Sequence, residues 1–482
     1  MKKNNIVIPV TISLLAAACN APKLVSVKEI NPLPDTYEEK MPIDSNNVAQ
    51  LHFKDFFQDP ELIALINNVL TKNLDNKIAA ERINIATAYL EARQGALLPS
   101  VTAGLRASGT HYGKHTMEGV GNFDTNLSPN IDNSQQIPTF ITPDYWLGLS
   151  ASWEIDLWGK LKSLKGAAME RFLATQQGKD LLNAALVTHT ATLYYELIML
   201  DKEVAILNQN IKLQEKALEV VKIHKEVGRA TELAVQQFDA QLSNTKASLY
   251  SIRQEIVAAE NKLLELTGAY NGTIKRSGSI DTKSIHYLAR HGNPQQLMEY
   301  RPDIRISYHE LVASHADAKA ARAAFFPSLT IGSFVGLNSF NVDKLINPTS
   351  IAYQLIGGLT APVFQKRQLK SGFKIATAEQ EIAFLNYQKT VNGAFQEVKT
   401  LLSYIANNQQ ILTEKRKEVS ALDKGLHVSQ DLYVNAYATY LEIIAAQKSK
   451  INAEMDLIKT ERNHVNIMIQ LYKALGGGVQ GS

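Results

Sequence analysis

The stretch RAAFFPSLTIGSFVG, Arg322 to Gly336, changes its period at the proline. Up to Phe326 it reads as the apolar end of a helix. Proline lacks an N–H and pushes the residue before it toward extended backbone, so helical pairing stops there. Beyond Pro327, Leu329, Ile331, Ser333, Val335 and Leu337 alternate with Thr330, Gly332, Phe334 and Gly336. A period of two is that of a strand, here with one apolar face and one small or polar face. GALLPSV, Gly95 to Val101, makes the same switch at Pro99, and Val101, Ala103, Leu105 and Ala107 then alternate with Thr102, Gly104, Arg106 and Ser108. Tyr145 to Glu154 and Ile351 to Thr360 repeat the pattern. The spacing predicts four strands, at about 101–112, 144–156, 328–338 and 350–362.

Strands of this length and pattern suit a tilted membrane crossing. A half-buried sheet in a soluble domain alternates in the same way. The connections favour the membrane, because His111 to Asp144 is long and rich in Asn, Asp, Gly and Ser, with Phe340 to Ser350 as its shorter counterpart. In hydrocarbon an open sheet edge leaves amides unpaired at several kcal/mol each, so a membrane sheet must close. Four strands are too few to close, since membrane barrels start at about eight. Several chains must share one barrel, and arithmetic allows eight strands from a dimer or twelve from a trimer.

The helical remainder is written twice. Val204, Leu207, Ile211, Gln214, Leu218 and Val221 fall three and four apart, and Val419, Leu422, Leu426 and Ser429 echo the last four 208 residues later. Val235, Phe238, Leu242, Thr245, Leu249, Ile252, Ile256, Ala259, Leu263 and Leu266 match Leu441, Ile444, Lys448, Ile451, Met455, Ile458, Arg462, Val465, Ile469 and Tyr472 at an offset of 206. Sustained spacing of this kind argues coiled-coil packing, in rods of roughly 45 Å at about 1.5 Å per residue. The change of offset predicts that each helix pair turns between Gly228 and Leu233, and between Ala436 and Leu441.

Lys2 and Lys3 followed by the apolar run Ile6 to Ala18 form a secretory signal, too short to span a bilayer. The single cysteine of the chain, Cys19, comes next in LLAAAC. That run resembles the lipobox of bacterial lipoproteins, which makes Cys19 a site of acylation after cleavage. More than one acyl chain is needed for stable anchoring. The absence of Asp at Asn20 favours outer-membrane sorting, by the same resemblance. One cysteine excludes an intrachain disulfide and a cysteine zinc site. A net charge of +3, from 50 basic and 47 acidic residues, gives no reason to expect nucleic acid.

Six stretches then resemble one family in order along the chain. They are WEIDLWGKLKS (Trp153–Ser163), RPDI (Arg301–Ile304), RAAFFPSLTIGSFVG, LTAPVFQKRQLK (Leu359–Lys370), YQKTVNGAFQEV (Tyr387–Val398) and LYKALGGG (Leu471–Gly478). The chain is identified on them as a member of the TolC-type outer-membrane efflux family, in the lipidated branch that serves resistance-nodulation-division pumps. The resemblance runs from FFQDPEL at Phe56 to Gly478. It implies a mainly α fold with a membrane β-barrel. In that fold a trimer closes twelve strands, four per chain, above a long periplasmic α-barrel, with a small equatorial domain. It divides the chain into a signal peptide (1–18), a lipidated extension (19–55), a first repeat (56–270), an equatorial linker (271–294), a second repeat (295–478) and a tail (479–482). It makes Pro99, Pro327 and Pro362 helix–strand junctions.

The implied role is a conduit without chemistry or cofactor: substrate from an inner-membrane pump, coupled through a periplasmic adaptor, leaves by a water-filled lumen. A type I protein secretion duct shares the architecture, and a lipoprotein scaffold is the alternative from another class. The closing tips map by resemblance to Glu226–Ala234 and Tyr433–Gln447. Gate candidates there are Glu442, Glu232, Asp239, Tyr433 and Gly228, although Ala234 and Ala445 stand where relatives carry acids. A threefold ring of carboxylates would favour cations. Trp146, Trp153 and Trp158, at the ends of one strand, suit an interfacial aromatic girdle. No HExxH or phosphate loop is present, His111 and His115 share no helical face, and Tyr194, Tyr195 and Glu196 read as packing.

Overall fold

A computed structural model describes residues 21–24, 26, 32–37, 47–277, 291–435 and 437–478. The signal segment, Cys19, residues 278–290 of the linker and the tail 479–482 lie outside the described residues. In chain order the elements are α1 (Phe53–Phe57), α2 (Pro60–Lys72), α3 (Leu74–Gly95), β1 (Ser100–Thr110), α4 (Met117–Thr125), β2 (Thr142–Ile155), α5 (Lys160–Glu226), α6 (Glu232–Thr267), α7 (Leu297–Tyr300), α8 (Pro302–Ala323), β3 (Ser328–Ser339), β4 (Ile351–Thr360), α9 (Gln368–Val434) and α10 (Tyr440–Ala474). Among the described residues no helix is long and apolar enough to cross a membrane. The chain divides into two compact units, one holding 86–172 and 310–384, the other 29–85, 173–309 and 385–482.

The first unit is built on one antiparallel sheet in the order β1-β2-β3-β4. Its register lines Leu105, Leu147, Leu337 and Ile351 across the strands, and likewise Ala103, Leu149, Val335 and Tyr353. The opposite face carries Thr102, Ser150, Phe334 and Gln354 in one row, and Arg106, Trp146 and Asn338 in another. The alternation read from sequence is therefore a real division of faces. The apolar face is largely uncovered: Leu105 is 73% exposed and Leu355 77%. The outer edges of β1 and β4 have no strand partner among the described residues. Gly148 and Gly336 lie opposite each other, and a Cβ on either would meet the facing strand's carbonyl oxygen at 2.5 or 2.4 Å, so only glycine permits this approach.

Two of the three proline junctions are held by indole hydrogen bonds. Pro99 lies between the end of α3 and β1, and Trp153 Nε1 donates to Leu97 O at 2.9 Å. Pro327 lies between α8 and β3, where Trp158 Nε1 donates to Pro327 O at 2.8 Å and its ring stacks on Phe326 at 4.9 Å. Pro362 follows β4, ahead of a turn in which Lys366 and Arg367 take positive φ before α9 begins. After β2, Asp156 caps α5 by accepting from Leu161 N and Lys162 N at 3.1 and 2.8 Å.

These contacts correct the girdle expectation. Trp146 lies in the register row of Arg106 and Asn338, on the polar face, because it shares the parity of Gly148 and Ser150. Trp158 lies outside the strand and pins a junction. Only Trp153 belongs to the apolar face.

In the second unit the seam expected on α6 is buried: Val235, Phe238, Leu242, Thr245, Leu249, Ile252, Ala259 and Leu263. Leu207, Ile211, Leu218 and Val221 of α5 pack with it, joined by Ile443 and Ile451 of α10. The second copy departs at its start. Thr231 and Thr439 are the N-caps of α6 and α10, so the offset is still 208 beyond each turn. Val235 and Ile443 are both buried at that offset, whereas Leu441 is 51% exposed. The change to 206 thus falls inside the helices, between Val235 and Thr245 in the first copy, and not at the turns. Ile443, Gln447 and Ile451 carry the seam there, four apart.

Segments distant in sequence close the other end of this unit. Tyr472 is fully buried, stacks on Phe56 at 4.1 Å and donates to Leu51 O at 2.7 Å. Arg301 of the RPDI stretch binds Asp303 and Glu397 and donates to Ala474 O at 2.7 Å, which fixes the α8 start to the end of α10. Tyr194 OH donates to Asp59 Oδ2 at 2.9 Å and accepts from Ser277 N at 3.0 Å, a packing role for that tyrosine.

Candidate functional site

Four of the five gate candidates lie at the two helix turns of the second unit, and Asp239 lies about two turns into α6. In the first turn Gly228 has φ +72° with open space around it, so it is there for its backbone conformation and not for close packing. Arg229 N then donates back to His224 O at 2.7 Å. The second turn repeats this bond, with Tyr437 N donating to Leu432 O at 2.8 Å. Both bonds are of the kind that satisfies the last carbonyls of a helix.

The carboxylates do local work. Glu232, in the first turn of α6, pairs with Lys225 and accepts from Gln236 Nε2 at 2.7 Å. The Lys225 hydrogen bond first, then Gln236, holds its pKa below the ordinary carboxylate value. Glu442 closes a capping box on α10, accepting from both the backbone N–H and the hydroxyl of Thr439, the latter at 2.8 Å. Those bonds lower its pKa as well. Both side chains are exposed and ionised at neutral pH. Each is bonded at its own helix start, and among the described residues no hydrogen bond or ion pair carries either one to the other hairpin. Asp239 is exposed, seven residues past Glu232 on the same helix.

Tyr433 is the candidate that does cross between hairpins. It packs against the apolar cluster of the tips, and its OH lies 3.1 Å from His224 Nδ1, with the rings stacked at 5.8 Å. Ala234, where an acid was expected by resemblance, is fully buried in that cluster, so a carboxylate there would be desolvated and unpaired. Sequence reasoning missed Lys450, which reaches Asp423 at 2.5 Å and Glu454 at 3.7 Å from a largely buried position. At the repeat's offset of 206 it answers Asn244, outside the seam, and nothing in the spacing signals a buried charge there. The Thr439-x-x-Glu442 box, by contrast, stands openly in the sequence.

The sequence matches the profile of the family described as outer membrane efflux protein in two blocks, residues 65–269 and 293–477. The chain belongs to that family. It is an outer-membrane efflux channel, mainly helical, with a four-stranded antiparallel sheet. Among curated relatives, the solvent efflux pump outer membrane protein SrpC of Pseudomonas putida is 27% identical over 429 residues, covering 88% of this chain and 87% of that protein. The cation efflux system protein CusC of Escherichia coli K12 is 25% identical over 435 residues, with 90% of each covered. A solved structure of CusC, described in terms of transmembrane channel formation, aligns with TM-score 0.82 at 24% identity over 95% of this chain and 99% of that one. SilC of Salmonella typhimurium, a probable outer membrane lipoprotein, is 25% identical over 90% of this chain and 89% of its own length.

Proposed function

We propose that three copies of the chain close one twelve-stranded barrel and form the exit duct of a tripartite efflux system. An inner-membrane pump, coupled through a periplasmic adaptor, drives small organic compounds or metal ions into it. The observation that carries this reading is the sheet, which has an uncovered apolar face and, among the described residues, no strand partner at the outer edges of β1 and β4. Such a sheet is stable in hydrocarbon only when further strands complete it. The helices support the same assembly, because Leu74, Ile78, Ile85 and Tyr89 of α3 stand exposed at helical spacing, a stripe suited to a neighbouring copy. Relatives named for a solvent and for cations support a cargo of small molecules over secreted protein.

Cys19 is the membrane tether of this reading. Arg322 Nε donates to Pro22 O at 3.0 Å, which holds the segment just after Cys19 beside the end of α8. Glu442, Glu232, Asp239, Tyr433 and Gly228 form the periplasmic closure, with Tyr433 as the link between hairpins. Deleting the gene in its own host and fractionating the complemented strain tests the reading. The chain is expected in the outer membrane, acylated, with its loss sensitising cells to solvents, dyes or metals. A soluble periplasmic chain whose loss leaves every sensitivity unchanged would overturn it.

A further inference from the structure

The polar face of the sheet carries a row almost without side chains. Gly104, Gly148, Gly336 and Ala352 are cross-strand neighbours from β1 to β4. Trp146 and Phe334 stand on the same face on either side of that row, their rings 6.1 Å apart and inclined at 69°. The indole lies down over Gly104: a Cβ on that glycine would come within 3.0 Å of Trp146 Cζ3. The polar groups beside it are engaged with one another: Arg106 pairs with Asp144 at 3.3 Å, and the Asn338 amide donates to the same carboxylate at 2.6 Å. The indole N–H of Trp153 and that of Trp158 each donate to a carbonyl, whereas that of Trp146 meets no acceptor among the described residues.

This face is the lumen side of the barrel in the duct reading, on which the inference rests. Turned the other way, the sheet would set Arg106, Asp144 and Glu154 in hydrocarbon and its leucines in water. A strand lining a water-filled duct gains nothing in the membrane from two large rings beside a glycine row.

We propose that Trp146 and Phe334, repeated three times, are cargo-selecting residues of the lumen wall that engage compounds carrying an aromatic ring. The tilted pair presents one ring's face and the other's edge, the two surfaces to which a third ring binds. Beside the pair the row continues at Gly336 and Ala352, a low floor on which a flat molecule can lie against the rings' free surfaces. A cationic aromatic gains further from the ring faces, whereas a saturated compound of equal size finds only apolar contact.

The test uses the purified full-length trimer in a planar bilayer, probed with benzyltrimethylammonium and its ring-saturated cyclohexyl analogue. The aromatic cation is expected to reduce the single-channel current at a concentration about three- to tenfold lower than its analogue. Trp146→Leu and Phe334→Leu should each erase most of that ratio, and Trp146→Phe should retain it, all with wild-type trimer mobility on unheated gels. Equal block by the two probes, or a ratio untouched by both leucine variants, overturns the aromatic wall and leaves the duct standing. A trimer that passes no current even as the Glu442→Ala variant overturns the duct reading and this inference with it.

Discussion

Adjacent residues of β2 give the sharpest test of the face assignment. Leu149 lies mid-strand in the apolar row with Ala103 and Val335, and Ser150 lies in the polar row with Thr102 and Phe334. One step along the strand thus exchanges lipid for lumen. An arginine on the lipid face near the bilayer midplane costs about 2–4 kcal/mol, and a lumen substitution costs far less. At about 1.4 kcal/mol per tenfold, Leu149→Arg should lower the insertion equilibrium of each chain by about 30-fold to nearly a thousandfold. Closure multiplies this over the copies that share the barrel. Ser150→Arg joins Arg106 on the wet face and should insert as wild type does. The assay is the folded fraction after refolding into lipid vesicles across a urea series, read by unheated gel mobility. Equal loss in both variants, or greater loss for Ser150→Arg, would refute the assignment of faces.

The seam of the tips makes a second contrast: Phe238→Ala, at a buried position, should cost about 3–5 kcal/mol in urea unfolding followed by circular dichroism. Leu441→Ala, at an exposed position that the bare repeat would place in the seam, should change stability by less than about 0.5 kcal/mol. Glu442→Ala is expected to raise the leak conductance of the closed channel, because the α10 capping box is lost. Glu442→Gln keeps the box, so it should keep the channel closed and weaken only cation preference; equal leak in both variants would assign the effect to charge alone. The Lys450 hydrogen bond holds Asp423 below its ordinary pKa. The folded state therefore binds that proton less readily than the unfolded chain, and the stabilisation is present above about pH 4 and fades as pH falls through the folded value. Melting midpoints at pH 6 and pH 3 should differ less for Asp423→Asn than for wild type.

Much of this was legible because the two kinds of period leave different marks. Each strand alternates against water or lipid on one face, and sterics at Pro99 and Pro327 mark where helical pairing stops. The α6 seam was equally plain, since a buried coiled-coil face tolerates little besides apolar side chains. The repeat offset misled at the start of α10, because a helix is positioned by its cap as well as by its seam. Thr439 fixes that start, and the seam then needs a few turns to come back into step. Trp146 was misplaced for another reason: residue type suggested a membrane girdle, while parity with Gly148 and Ser150 already put it on the wet face. Lys450 was illegible, since a lysine beside the seam reads as an ordinary solvated charge until Asp423 of the facing helix is known to be within reach.

The claim on which the account turns is that chains must share one barrel, and the stoichiometry of the intact particle tests it most directly. Native mass spectrometry of the full-length protein released from detergent micelles should give three chains per particle, and the same preparation should conduct in a bilayer. A stable single chain that inserts with β1 and β4 unpaired, or a particle of any other copy number that conducts, would contradict it.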